Sequence, residues 1–165
     1  MINLTEKEII EYFHKCFTSV DGLWFLKVEE TYGFDTALEL DKKVWLILPK
    51  IQARFLKERI QLKTGCAATL LEALKTKLAL DGFKFELNKK DSSIEALITE
   101  CPWHNILKKA KREELSSTIG SVICPAEYKV FAAEFNPGIK LKISGSLCTG
   151  KKSCTLRFTL PCAAL

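Results

Sequence analysis

Phe83-Lys-Phe-Glu-Leu87 and Ile94-Glu-Ala-Leu-Ile98, separated by the polar run Asn88-Lys-Lys-Asp-Ser92, are where the sequence changes its period. Both apolar stretches alternate, as half-buried strands do, and the polar run between them reads as a hairpin connection. A second pair follows. Ile139-Lys-Leu-Lys-Ile143 and Thr155-Leu-Arg-Phe-Thr-Leu160 alternate in the same way, with Cys148 to Cys154 in their connection.

Upstream of residue 83 the apolar residues recur at helical spacing. Thr5 and Glu8 have capping-box spacing, so Thr5 caps a helix whose Ile9, Phe13, Cys16 and Phe17 share a face. Asp21-Gly22 is expected to break it, with a second helix running to Tyr32-Gly33. Asp35 or Thr36 caps a third helix, interrupted near Pro49 and resumed over 50–60. A fourth begins at Thr64, carries Ala67, Leu71, Leu74 and Leu78 on one face, and ends at Asp81-Gly82.

Between the hairpins lie a short helical region over 103–117 and a longer helix over 120–135. In the longer one Val122, Ile123, Ala126, Val130 and Ala133 make an apolar face, and Tyr128, Phe131 and Phe135 a neighbouring one, so it is expected to be broadly buried. Asn136-Pro137-Gly138 terminates it. The order predicts an α+β fold. N-terminal helices pack on a four-stranded antiparallel sheet, with a buried helix between the two hairpins. One domain is expected over residues 1–165, with a helical layer over 1–80 and the sheet over 81–165.

Composition fixes the broad class. The chain has 165 residues, 47% hydrophobic and 27% charged, which is ordinary globular material. The longest strongly apolar run, Val44 to Leu48, is far too short to span a bilayer. The first residues lack the basic and apolar segments of a signal peptide, so a cytoplasmic location is expected. Its seven cysteines are then expected to be reduced and available for metal or thiol chemistry.

The net charge of +5 is uneven. Residues 101–165 carry ten Lys and Arg against four acidic residues, and the first hundred sum to −1. Lys108, Lys109, Lys111 and Arg112 are the only dense basic cluster. It has neither interleaved aromatics nor a recognisable module, so it reads as a solvated helix face and no nucleic-acid partner is expected. No membrane partner is expected either, and a homodimer is the oligomer considered.

Soft ligands gather in the same basic half. Cys101, His104, Cys124, Cys148 and Cys154 fall within 54 residues, two pairs of them closely spaced as Cys101-Pro-Trp-His104 and Cys148-Thr-Gly-Lys-Lys-Ser-Cys154. Thiolate and imidazole are the ligand set of zinc and, with iron as the alternative, of related metals. Each cysteine alone is an ordinary small core residue. Together they make a candidate metal site, although the spacing matches no zinc finger or ribbon.

Cys124 is read near the start of its helix, where the backbone lowers a thiol pKa. Glu127, one turn on, is a candidate ligand or general base, or else a plain surface carboxylate. Cys16, Cys66, Cys162 and His14 are read as structural. Trp24, Phe25, Trp45 and Phe55 can line a pocket for a small, partly apolar molecule, although aromatics at helical spacing are more often core. Cys162-Ala-Ala-Leu165 fits a prenylation pattern, but Cys162 also continues a strand.

Two resemblances bear on function. Cys124-Pro-Ala-Glu-Tyr128, followed by a strand and by Cys148-x-Gly150-x-x-x-Cys154-x-x-x-Phe158, resembles the C-terminal half of 4-vinyl reductase-type domains over about residues 80–160. That resemblance implies cysteines holding zinc beside an enclosed ligand cavity. Such domains often carry a Glu three residues before the first hairpin cysteine, where this chain has Gly145, so the missing ligand falls to His104, Cys101 or Glu127.

Trp24 to Gly33, Trp45 to Arg54, Cys101-Pro-Trp-His104 and Ile123-Cys-Pro-Ala-Glu-Tyr128 are similar to the L-2-amino-thiazoline-4-carboxylic acid hydrolase-like group. This resemblance implies a hydrolase of a cyclic amidine or amide but carries over no catalytic set; among this chain's own residues, His104 or Glu127 is the candidate to move protons, with metal-bound water as nucleophile. The leading expectation is a sensor, carrier or accessory domain that binds a small molecule through a Cys/His metal or thiol site. The hydrolase is the alternative.

Overall fold

The change of period at residue 83 marks the start of a sheet. In the computed structural model, which describes residues 2–60, 66–90 and 92–161, β1 (Lys84–Lys90) and β2 (Ser93–Glu100) form one antiparallel hairpin. β3 (Lys140–Gly145) and β4 (Cys154–Thr159) form another, and the order across the sheet is β1-β2-β4-β3. The hairpins join through antiparallel β2 and β4, with Ile94 opposite Phe158, Ala96 opposite Leu156 and Ile98 opposite Cys154. This register stacks Ile94, Ala96, Ile98, Leu156 and Phe158 on one buried face, as the alternating pattern requires.

Helices cover that face. α3 (Leu48–Arg59) contributes Ala53 and Leu56, α4 (Cys66–Leu80) contributes Leu70, Leu74 and Leu78, and α6 (Ser116–Ala133) contributes Tyr128, Phe131 and Ala132 to one core. α6 is the broadly buried helix expected between the hairpins. Asn136 closes the turn after it, where Asn136 Oδ1 accepts a 2.8 Å bond from the Gly138 N–H. The fold class is thus α+β, with a four-stranded antiparallel sheet.

The chain divides into two compact units, Met1–Lys43 and Val44–Leu165, where the sequence pattern predicts one domain. The first unit holds α1 (Glu6–Tyr32) and most of α2 (Phe34–Trp45). Thr5 caps α1 through the expected capping box: Glu8 N–H donates to Thr5 Oγ1 at 3.3 Å and Thr5 N–H to Glu8 Oε2 at 2.8 Å. That bond and the Thr5 hydroxyl hold the exposed Glu8 carboxyl below its usual range.

Several boundaries differ from the sequence reading. α2 opens at Phe34, directly after Gly33, so Asp35 and Thr36 stand inside its first turn instead of capping it. α1 does not break at Asp21-Gly22 but runs unbroken for 27 residues to its stop at Gly33 (φ 86°). One glycine costs a helix interior about 1 kcal/mol, less than the ladder of bonds on either side supplies. β1 continues through Asn88 to Lys90, so the hairpin turn is tighter than the polar run suggests. α6 starts at Ser116, four residues early, because the 3-10 turn Glu113–Leu115 feeds straight into it. Thr64, the side chain of Cys66, and the Cys162–Leu165 pattern lie outside the described residues. Among the described residues no helix is long and apolar enough to cross a membrane.

The basic cluster sits at the end of α5 (Pro102–Lys109) and just beyond it. Cationic side chains there complement the helix dipole, and Lys108 Nζ is 3.3 Å from Glu113 Oε1. Arg112 N–H bonds to the Leu107 carbonyl and Lys111 N–H to the Lys108 carbonyl, with Lys111 left-handed at φ 56°. This is a Schellman stop with lysine where glycine is favoured.

One buried charge ties the three core helices together. Lys77 of α4 is 2% exposed; its Nζ lies 2.7 Å from Glu127 Oε1 on α6 and 2.6 Å from Asp81 Oδ2, and donates to Gln52 Oε1 on α3 at 3.1 Å. Burial disfavours the ammonium, but the two carboxylates outweigh it and hold Lys77 charged. Removing one partner of such a pair strands the other in a dry interior. Lys77→Ala is therefore expected to lose about 3–5 kcal/mol in urea unfolding. The double variant Lys77→Met/Glu127→Gln should recover most of that loss. Equal losses in the single and double variants would contradict this role.

Candidate metal centre

Four cysteines meet at one end of the sheet, each delivered by a different local device. Cys101 follows the last residue of β2 and stands at the N-cap of α5, in extended conformation (φ −113°, ψ 119°), with Pro102 opening the helix. Proline fits a first helical turn because its missing N–H is not needed there. Cys154 opens β4, opposite Ile98 of β2 and Gly145 of β3. Cys148 lies in a 3-10 turn, Leu147–Thr149, closed by Gly150 in the left-handed region at φ 79°. Cys124 comes from α6, immediately before Pro125, whose missing N–H leaves the Ser121 carbonyl without its helical donor.

Gly120, one turn before Cys124, marks the centre. A methyl group in place of its hydrogen would stand 3.5 Å from Cys148 Sγ and 3.9 Å from Cys124 Sγ, so both sulfurs face the same point of α6. The thiols also feel one another. Charge on Cys148 or Cys154 would act on Cys101, and charge on Cys101, Cys148 or Cys154 on Cys124. Leu147 N–H donates to Cys154 Sγ at 3.1 Å.

The electrostatics are those of a dry thiol cluster. Burial pushes the Cys101 thiol up to about 12, although the backbone N–H groups of His104 and Trp103 favour its thiolate. Burial and Glu127 together raise Cys124 well above its ordinary value. Cys154 is raised by burial too, against the opposing bond from Leu147. Cys124 was expected near a helix start, where its pKa would fall. It stands mid-helix instead, because α6 begins at Ser116, and the dipole gives it nothing. As placed, no three Cys, His, Asp or Glu side chains among the described residues are drawn tightly enough together to hold an ion.

His104 and Glu127, the two other candidates, have separate engagements. His104 is 7% exposed, with Nδ1 2.7 Å from Ser116 Oγ and Nε2 3.9 Å from Glu113 Oε1. It pins the start of α5, and so Cys101, to the start of α6. Glu127 is 3% exposed and paired with Lys77; burial raises its pKa against the pull of that ammonium. Its carboxylate is close enough to Cys124 to act on the thiol.

Gly145 explains why no carboxylate precedes the first hairpin cysteine. Its φ is 68°, and a Cβ there would lie 2.5 Å from the Ser153 carbonyl oxygen. No side chain fits there without displacing that backbone. The sequence reading did not single out Gly120 or Ser116. A glycine one turn before a helical cysteine is a signal that only the correct helix start makes visible.

The aromatic candidates separate. Trp45 is 3% exposed and stacks edge-on with Trp103, ring centroids 5.6 Å apart. Trp24 and Phe55 are exposed, Phe55 beneath the Arg59 guanidinium, 3.5 Å from its ring centroid. Cys16 is half-buried on α1.

A family profile described as "Family of unknown function (DUF6125)" matches residues 3–160, and the chain belongs to that family. No curated protein matches it.

The His104 pin has a consequence for pH. Burial, then Lys108, lowers the His104 pKa below its ordinary value, against Glu113. The native state therefore disfavours the imidazolium. The stability His104 contributes is complete above the unfolded pKa of about 6.5 and is lost as pH falls through the lower folded value. Wild type is expected to lose more unfolding free energy than His104→Asn over that acid window. Parallel pH profiles for the two proteins would rule this out.

Proposed function

We propose that this domain binds one thiophilic metal ion, zinc first and iron second, through Cys101, Cys124, Cys148 and Cys154. The observation that carries the reading is that four thiols from four separate elements lie near enough to act on one another, two of them, Cys124 and Cys148, beside Gly120, with Leu147 N–H directed at the Cys154 sulfur. Zinc and iron are the ions that thiolate-rich sites select. Binding would displace the thiol protons and draw the sulfurs inward, so affinity should rise with pH.

Four sulfurs around zinc close its coordination shell, and closed shells are structural rather than hydrolytic. The proposed ion therefore locks the open end of the sheet to α6. Its gain or loss would change how that end is held, which suits a sensor or accessory domain. Redox chemistry of the free thiols is less well supported, because the thiolate is the reactive form and burial opposes it at Cys101, Cys124 and Cys154. Hydrolysis of a cyclic amidine would ask an open metal position of this site and free groups of His104 and Glu127. Both residues are engaged with other side chains.

Reduced protein purified without chelator is expected to carry about one zinc or iron per chain by elemental analysis. A strong chelator should lower its melting temperature by several degrees, and Cys148→Ala should abolish that difference. Metal-free protein that takes up neither ion, with wild type and Cys148→Ala equally indifferent to chelator, would refute the proposal.

A further inference from the structure

α1 carries an exposed apolar stripe. Ile10, Phe13, Phe17, Val20 and Trp24 follow one another at spacings of three, four, three and four residues. All five are exposed, Phe13, Val20 and Trp24 by 64%, 66% and 67%. The residues with which α1 packs inside its own unit lie on another face. Thr18 and Val28 are its buried positions, and the Phe25 ring meets Phe34 of α2 edge-on, with centroids 5.9 Å apart.

The spacing says what fits. A repeat averaging three and a half residues keeps a seam of side chains turned toward a second α-helix along its length, each residue seated between those of the facing helix. The area is that of a dimer contact. An aromatic side chain offers about 150–250 Å². At these exposures, with Ile9 and Leu23 widening it on one side, the stripe presents roughly 800 Å², which is what each partner of a standard interface contributes. Monomers rarely leave a contiguous apolar patch larger than about 300–600 Å².

Charge argues against a membrane as the cover. Helices that lie in a lipid surface are rich in Lys and Arg on the polar face, where anionic headgroups attract them. α1 carries six acidic residues against three lysines. A second copy of the chain meets the stripe's requirements by itself. Antiparallel about a two-fold axis between Phe17 and Val20, Phe13 meets the partner's Trp24 and Phe17 meets the partner's Val20. The contact then uses the same patch on both copies, as a closed dimer requires, and the two helix dipoles oppose.

We infer that α1 is a dimerisation helix, pairing through Ile10, Phe13, Phe17, Val20 and Trp24 with the same stripe of a second copy. The inference is independent of the proposed metal site, since none of these residues belongs to it.

The test is the mass of the full-length, reduced protein by sedimentation equilibrium over a hundredfold range of concentration. Wild type is expected to be a dimer at tens of micromolar. Val20→Glu and, separately, Phe13→Glu place like charges in the contact, and each should weaken dimerisation by about a hundredfold or more. Both positions are exposed, so helix content by circular dichroism should stay that of wild type. Ile51→Glu, equally exposed but on α3, should leave the dimer intact. A wild type that is monomeric throughout would overturn the inference, as would a dimer that survives both α1 variants or one that Ile51→Glu dissociates. Vesicles of phosphatidylcholine and phosphatidylglycerol supply the remaining control. Wild type is expected to stay in the supernatant when they are pelleted. A monomer that pellets with them, and is released by Val20→Glu, would give the stripe to a lipid surface and overturn the dimer.

Discussion

The antiparallel pairing of β2 with β4 is the constraint on which the site depends. It joins two hairpins separated in sequence by two helices, and its register places Ile98 opposite Cys154. The chain leaves β2 at Glu100, so Cys101 emerges beside the start of β4. The same register sets Gly145, the last residue of β3, against Cys154, and the turn that follows carries Cys148 to the same end. A slip by one residue would turn Ile94, Ala96 and Ile98 to solvent and carry Cys154 to the opposite face. The core and the thiol cluster are therefore specified together.

The fourth thiol is placed by different physics. α6 is held over the sheet by Tyr128, Phe131 and Ala132, and against α3 and α4 by the ammonium of Lys77. A buried ion pair adds little net stability, but it tolerates few alternative geometries. Glu127 thus fixes the rotation of the helix that presents Cys124, one turn earlier, toward the cluster. The His104–Ser116 bond does the corresponding work at the other end, joining the turn after Cys101 to the first residue of α6. The two polar residues expected to act in catalysis are accounted for as braces around the sulfurs.

Much of this was legible in the sequence. Period-two alternation located all four strands, because each has one buried and one exposed face. The Thr5–Glu8 capping box, the stop at Gly33 and the end of α4 at Asp81-Gly82 rest on local chemistry that tertiary contacts did not override. What failed was local inference where tertiary contact decides. Ser116, Ser117 and Thr118 are poor helix formers, but a buried bond to His104 secures the first of them in α6. The earlier start moved Cys124 from a helix terminus to mid-helix, where burial and then Glu127 raise its pKa. Cysteine and histidine spacing picked out Cys101, His104, Cys124, Cys148 and Cys154, and the four thiols among them lie near enough to act on one another. It could not show that His104 turns toward Ser116, because a histidine three residues from a cysteine satisfies either geometry equally well.

The ligands we propose are four sulfurs, and no nitrogen or carboxylate oxygen. X-ray absorption at the zinc edge of the loaded, reduced protein reads this directly. The account requires a single shell of four sulfur scatterers at about 2.3 Å. A shell containing nitrogen or oxygen at about 2.0–2.1 Å would contradict it, returning His104 or Glu127 to the ion and removing one of the four cysteines from it.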